Sequence, residues 1–82
     1  MSESEEKALM LAFTLKYHKG KTTEQLKKDV QWLQTISLMG IDHYLKYGED
    51  KGYIYSRVKK NDSNLYYYST KKGQRTYDKY FQ

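Results

Sequence analysis

Tyr53-Ile-Tyr-Ser-Arg-Val58, Lys59-Lys-Asn-Asp-Ser-Asn64 and Leu65-Tyr-Tyr-Tyr-Ser69 follow one another through the second half of an 82-residue chain. The first segment alternates and is aromatic and β-branched, which predicts a strand over 53–58. The second is a cluster of polar turn formers. The third returns to strand chemistry, so the three together read as a β-hairpin with its tip at 59–64.

Helical patterns flank this hairpin. Upstream, Leu38, Ile41 and Leu45 form the inward stripe of a helix predicted over 38–51, with Gly48 permitting close packing and Gly52 ending it. A turn over 34–37 separates it from a helix that starts at the Thr22/Gln25 capping box and runs to Leu33. The expected core residues there are Leu26, Val30 and Leu33, with Trp32 off the stripe. Before the break at 18–21, a first helix is predicted over 5–19, signalled by Ser2 and Glu5, after a disordered acidic start at 1–4. Ala8, Leu11, Ala12 and Leu15 line one side of it; Leu9, Met10, Phe13 and Tyr17 line the other. A helix apolar on two sides is covered on two sides, here by the core and by a partner or the last helix. Downstream, Thr70 caps a final helix over 71–81 whose Gln74, Tyr77 and Phe81 share a face, with Tyr80 beside them. One α+β domain over 1–82 follows. Three helices, a hairpin and a last helix are the plan of a winged helix-turn-helix, with the hairpin as wing.

Composition bounds the function. A chain this short buries about 60% of its unfolded surface, so nearly every apolar residue is needed for one core. There is no cysteine, hence no disulfide and no thiolate zinc site, which suits a reducing, cytoplasmic interior. No apolar run approaches a transmembrane span, and the acidic start is unlike a secretory signal. The net charge is +5, but Glu3, Glu5 and Glu6 hide a more basic body: residues 7–82 carry all 15 basic groups against seven acids. Such a body attracts polyanions, nucleic acid first. A lysine-rich surface also serves solubility alone.

Two stretches carry a family resemblance. Ile41-Asp-His-Tyr-Leu-Lys-Tyr-Gly-Glu-Asp-Lys-Gly-Tyr-Ile54 resembles the end of a recognition helix and the start of the wing in winged-helix repressors. Leu65-Tyr-Tyr-Tyr-Ser-Thr-Lys-Lys-Gly-Gln-Arg-Thr-Tyr77 resembles their wing exit into a Thr-x-x-Gly helix start. In order and at this spacing, over roughly residues 22–81, they are similar to regulators of the MarR and PadR type and to small archaeal viral winged-helix proteins. A viral origin would also suit the small, tyrosine- and lysine-rich chain. The resemblance implies a sequence-specific regulator of transcription that binds double-stranded DNA.

On that reading, the outward arc of the third helix places Ser37, Gly40, His43, Lys46 and Tyr47 at the major groove. Asp42 is expected toward the core edge, off that arc. Arg57, Lys59, Lys60, Asn61 and Asn64 are the wing contacts to backbone or minor groove. Lys21 and Thr22 would meet a phosphate at a helix start. Leu9, Met10, Phe13, Tyr17, Tyr77, Tyr80 and Phe81 would form a homodimer interface. The bland alternatives are a solvated helix face, a soluble hairpin tip and ordinary aromatic packing. A stacking platform for single strands is the weaker reading of the tyrosines, since cross-strand packing accounts for them. No nucleophile, paired-carboxylate or phosphate-cradling motif is present, and His18 and His43 lack metal-ligand spacing. The chain is expected to be no enzyme and to need no metal, cofactor, small-molecule ligand or membrane. A non-specific architectural DNA binder, and a protein-interaction domain acting through the first helix, are the alternatives.

Overall fold

Ser2 starts the first helix: its hydroxyl accepts the Glu5 N–H at 3.1 Å, and three glutamates in the first turn complement the positive helix end. Helix α1 therefore spans Glu3–Tyr17 in the computed structural model, which describes residues 1–82. This corrects the expected disordered start at 1–4 and the helix range 5–19. The N-terminus is tied to later segments: the Tyr44 hydroxyl donates to Glu3 at 2.9 Å and the Tyr53 hydroxyl to Glu5 at 2.9 Å. Beyond Tyr17 the chain turns through Gly20 at φ 68°, where a Cβ would lie 2.9 Å from the Tyr68 hydroxyl. Only glycine suits both the angle and the space.

Lys21 then leaves helical geometry to pair with the hairpin, Gly20 N–H to the Tyr67 carbonyl and Tyr67 N–H to the Lys21 carbonyl, each at 3.0 Å. Thr22 and Gln25 form the expected reciprocal capping box, and α2 spans Thr23–Asp29. It stops four residues short of Leu33, because Val30 is extended and Gln31–Leu33 make a separate 3-10 turn. The Lys27 ammonium closes the following turn by donating to the carbonyls of Gln34 and Ile36, at 2.8 and 2.7 Å.

Ser37 caps α3, Leu38–Lys51, and Gly52 ends it in the left-handed region at φ 80°. Ile41, Leu45 and Gly48 face the core, but Leu38, expected inward, is 41% exposed. Gly48 is buried against β1: a Cβ there would meet Ile54 Cδ1 at 2.6 Å. Strands β1, Ile54–Val58, and β2, Leu65–Ser69, are antiparallel with Ser56 opposite Tyr67, Arg57 opposite Tyr66 and Val58 opposite Leu65. Thr70 caps α4, Lys71–Phe81.

The core gathers around α1, which packs against α3, α4 and β2. Ala8, Leu9, Leu11, Ala12 and Leu15 are fully buried with Leu26, Leu33, Ile41 and Leu45. Each such leucine contributes roughly 1.5–3 kcal/mol of burial free energy. The hairpin tip and the outer side of α3 carry none of this core and stand to solvent.

Candidate nucleic-acid interface

Two exposed surfaces flank one cleft. The hairpin tip is organised from within by Asp62. Its carboxylate accepts from the Tyr66 hydroxyl and from the Asn64 N–H, while its own N–H donates to the Lys59 carbonyl. These donors, the tyrosine first, hold the Asp62 carboxyl below the usual range, and the same bond pushes the Tyr66 hydroxyl up. Asn61 takes the left-handed conformation, φ 66°, which asparagine tolerates better than most side chains. Arg57, Lys59, Lys60, Asn61 and Asn64 are thereby all exposed at one end of the molecule. The Arg57 guanidinium lies 5.4 Å from the Tyr55 ring centre and the Lys59 ammonium 4.1 Å from that of Tyr66. Tyr55 in turn stacks on Tyr68 across the strands at 5.2 Å. These rings pack on one another, as cross-strand pairs do.

The expected residues of α3 fare unequally. Ser37 is exposed, but its oxygen is engaged with the Gly40 N–H at 3.1 Å. Gly40 does not open the helix to a ligand: a Cβ there would meet Ile36 Cγ2 at 2.9 Å, so its bare side faces the preceding turn. His43 is exposed, 3.3 Å from the Ser4 hydroxyl and edge-on to Tyr44. Lys46 is exposed without an ionic partner. Tyr47 is half-buried against the core, with the Lys51 ammonium 5.7 Å from its ring.

Between α3, the start of α2 and the hairpin lies a cleft of about 480 Å3 lined by Glu24, Asp42, Lys46, Glu49, Asn64 and Tyr67 among others. Three carboxylates therefore face one lysine. Asp42, expected at the core edge, is exposed here and accepts from the Thr23 hydroxyl at 2.6 Å; Glu49 accepts from Ser56 at 3.1 Å. Burial and then the charges of Asp42 and Glu49 push the Tyr67 hydroxyl up. This acidic lining was missed from sequence, although Asp42 and Glu49, seven apart, fall on one helix face.

The start of α2 is built for other work. The Lys21 ammonium pairs with Asp29 at 2.9 Å, which holds that carboxyl below its usual range, and Thr22 is buried in its capping box. Each group therefore already has a partner within the chain.

The expected dimer residues divide. Leu9 is fully buried inside this chain, which corrects its assignment to an interface. Phe13 is half-buried, stacked on Tyr77 at 4.4 Å, and Tyr77 stacks on Phe81 at 4.8 Å. So α4 covers Phe13 of the second stripe. Met10 and Tyr77 are half-buried, while Tyr17, Tyr80 and Phe81 are 66, 55 and 39% exposed. No three His, Cys, Asp or Glu side chains are arranged to hold a metal ion, and no helix is long and apolar enough to cross a membrane. No protein-family model, curated protein or solved structure matches the chain.

Proposed function

We propose that this chain is a winged-helix transcriptional regulator that binds double-stranded DNA sequence-specifically as a homodimer, and that it is no enzyme. The observation that carries the reading is the cationic hairpin tip, Arg57 to Asn64, standing exposed beside the solvent face of α3. The strand-like bridge of Lys21 to Tyr67 supports it. It adds a third backbone segment to the hairpin between α1 and α2, as a winged helix requires if its wing is to be anchored to the helix-turn-helix. In that arrangement α3 is the recognition helix and the hairpin is the wing.

Titration of a labelled duplex against random-sequence competitor, at several salt concentrations, tests it. Specific binding that weakens with salt by about 0.9 log units per phosphate contact, with a large preference over competitor, is expected. Equal affinity for every duplex would leave an architectural binder. Absence of any salt-sensitive duplex binding would sink the DNA reading. It would favour the second one, a protein-interaction domain, for which the exposed Tyr17, Tyr80 and Phe81 are the specific observation.

A further inference from the structure

A recognition helix meets base edges chiefly with its N-terminal residues. At that end of α3 the polar groups are not free to read. The Ser37 hydroxyl is engaged with the Gly40 N–H, Gly40 offers no side chain and turns its bare side to Ile36, and Ile41 is in the core. What remains exposed in the first turn is apolar. Leu38 is 41% exposed, and Met39, at 83%, is the most exposed large apolar side chain of the whole chain. Leu38 turns toward α2, into a shallow groove shared with Glu24, Lys27, Lys28 and Gln34. Met39 borders neither that groove nor the acidic cleft; it stands on the outward arc of α3 with His43 and Lys46.

The charges of α3 are graded along its length. No acid stands in the first turn. Asp42 follows one turn later, with its carboxylate held toward α2 by the Thr23 hydroxyl at 2.6 Å. Glu49 and Asp50 come at the far end, about 15–17 Å beyond Met39 at the helical rise. The major groove is about 8.5 Å deep. A helix that enters by the Met39 end brings its uncharged turn to the groove floor and keeps Glu49 and Asp50 outside. A helix laid lengthwise would hold both level with Met39, within reach of the phosphates, where like charges repel. On that floor the base pairs present donors, acceptors and one apolar group, the C5 methyl of thymine. An unbranched, polarisable methionine side chain adapts readily to such a contact.

We propose that α3 enters the major groove by its N-terminal end and that Met39 reads thymine there, packed against the C5 methyl. This inference rests on the double-stranded DNA reading above. It keeps α3 as the recognition helix and the hairpin as the wing, and it names what the first turn of α3 recognises.

The test begins with duplexes selected from a random pool by the full chain. The tightest is then made in two versions, with thymine and with uracil at every thymine position. Removing the methyl changes the major-groove floor and leaves minor-groove atoms in place. The unsubstituted chain should bind the thymine duplex about threefold or more tightly than the uracil duplex. Met39→Ala should bind both versions with the parent's affinity for the uracil duplex. Its salt slope should equal the parent's, since no phosphate contact is lost. Met39→Leu should keep the thymine preference. Met39 lies outside the core, so both variants should unfold at the parent's urea midpoint. Equal binding of the two duplexes by the parent overturns the inference, and so does a thymine preference that survives in Met39→Ala. A Met39→Ala chain that changes its sedimentation and not its DNA preference overturns it too, because Met39 would then face another chain. A pool in which no duplex is enriched and no salt-sensitive binding is seen removes the DNA-binding reading itself, and this inference with it.

Discussion

Tyr53 sits where four elements meet. Its N–H donates to the Gly48 carbonyl, its carbonyl accepts from Thr70, and its hydroxyl donates to Glu5, while its side chain is 6% exposed. Burial, then the Glu5 carboxylate, pushes the hydroxyl up to about 12. A tyrosine in the unfolded chain titrates near 10. The folded pKa is the higher one, so this stabilisation is complete below pH of about 10 and is lost as pH rises toward about 12. Tyr44, Tyr66 and Tyr67 are shifted in the same direction and add to it. Urea unfolding midpoints should therefore fall across that alkaline window. In Tyr53→Phe the neutral-pH stability should drop by about 1–3 kcal/mol and the alkaline fall should be shallower. An equal alkaline slope in Tyr53→Phe would show that this hydroxyl is not the group responsible. Single residues were legible where their signal is local: Ser2, Thr22 and Thr70 as caps, Gly52 as terminator. Tyr53 was read only as one strand position, because the carboxylate that engages it lies 48 residues away in the chain.

Elements depend on contacts of the same long range. Helix α4 is amphipathic enough to be read from its sequence, yet what it covers was left open between the domain and a partner. Gly73 settles its docking. A Cβ there would collide with the Tyr53 carbonyl oxygen and stand 3.0 Å from the Ala12 Cβ, so α4 approaches α1 with only the Ala12 methyl between them. Gly73→Ala should raise intrinsic helix propensity yet destabilise the domain by about 1–3 kcal/mol or more, because backbone must move to admit one methyl. The outer-face control Arg75→Ala should lie within about 0.5 kcal/mol of the parent. A Gly73→Ala chain as stable as the parent would show that α4 is not seated as described. The early end of α2 was illegible for a related reason. Nothing in Asp29-Val30-Gln31 is a helix breaker. The break coincides with contacts that the local sequence does not announce: Trp32 donates to Thr14 on α1 at 3.2 Å, and Lys27 clamps the turn after it. Leu38 misled in the other direction. It has the spacing of the inward stripe, but it lies at the first turn of α3, beyond the edge of the core.

Across the whole molecule, the basic body was readable from composition, but its division was not. Only the fold sets Glu24 opposite Asp42 and Glu49, and only the fold lifts Arg57 and the two tip lysines away from them. The same holds for the second apolar stripe of α1. With Leu9 in the core, what remains at the surface is an aromatic strip that runs from Tyr17 through the half-buried Phe13 and Tyr77 to Phe81 along α1 and α4. A stable isologous interface covers about 800 Å2 on each partner, and this chain exposes 5348 Å2 in all. Two-fold pairing through the strip would place two hairpins on one assembly. The chain should sediment as a dimer at about tens of micromolar. Tyr17→Asp/Phe81→Asp should be a folded monomer, since both side chains are largely outside the core, whereas Phe13→Asp should lose stability as well as partner. The monomer should also show about half the salt slope of the parent on DNA, because each chain brings its own lysines to the phosphates. A parent chain that stays monomeric at about a hundred micromolar, or a double variant that still pairs, would move the interface away from this strip. A folded monomer whose salt slope equals the parent's would mean that one hairpin alone meets the duplex.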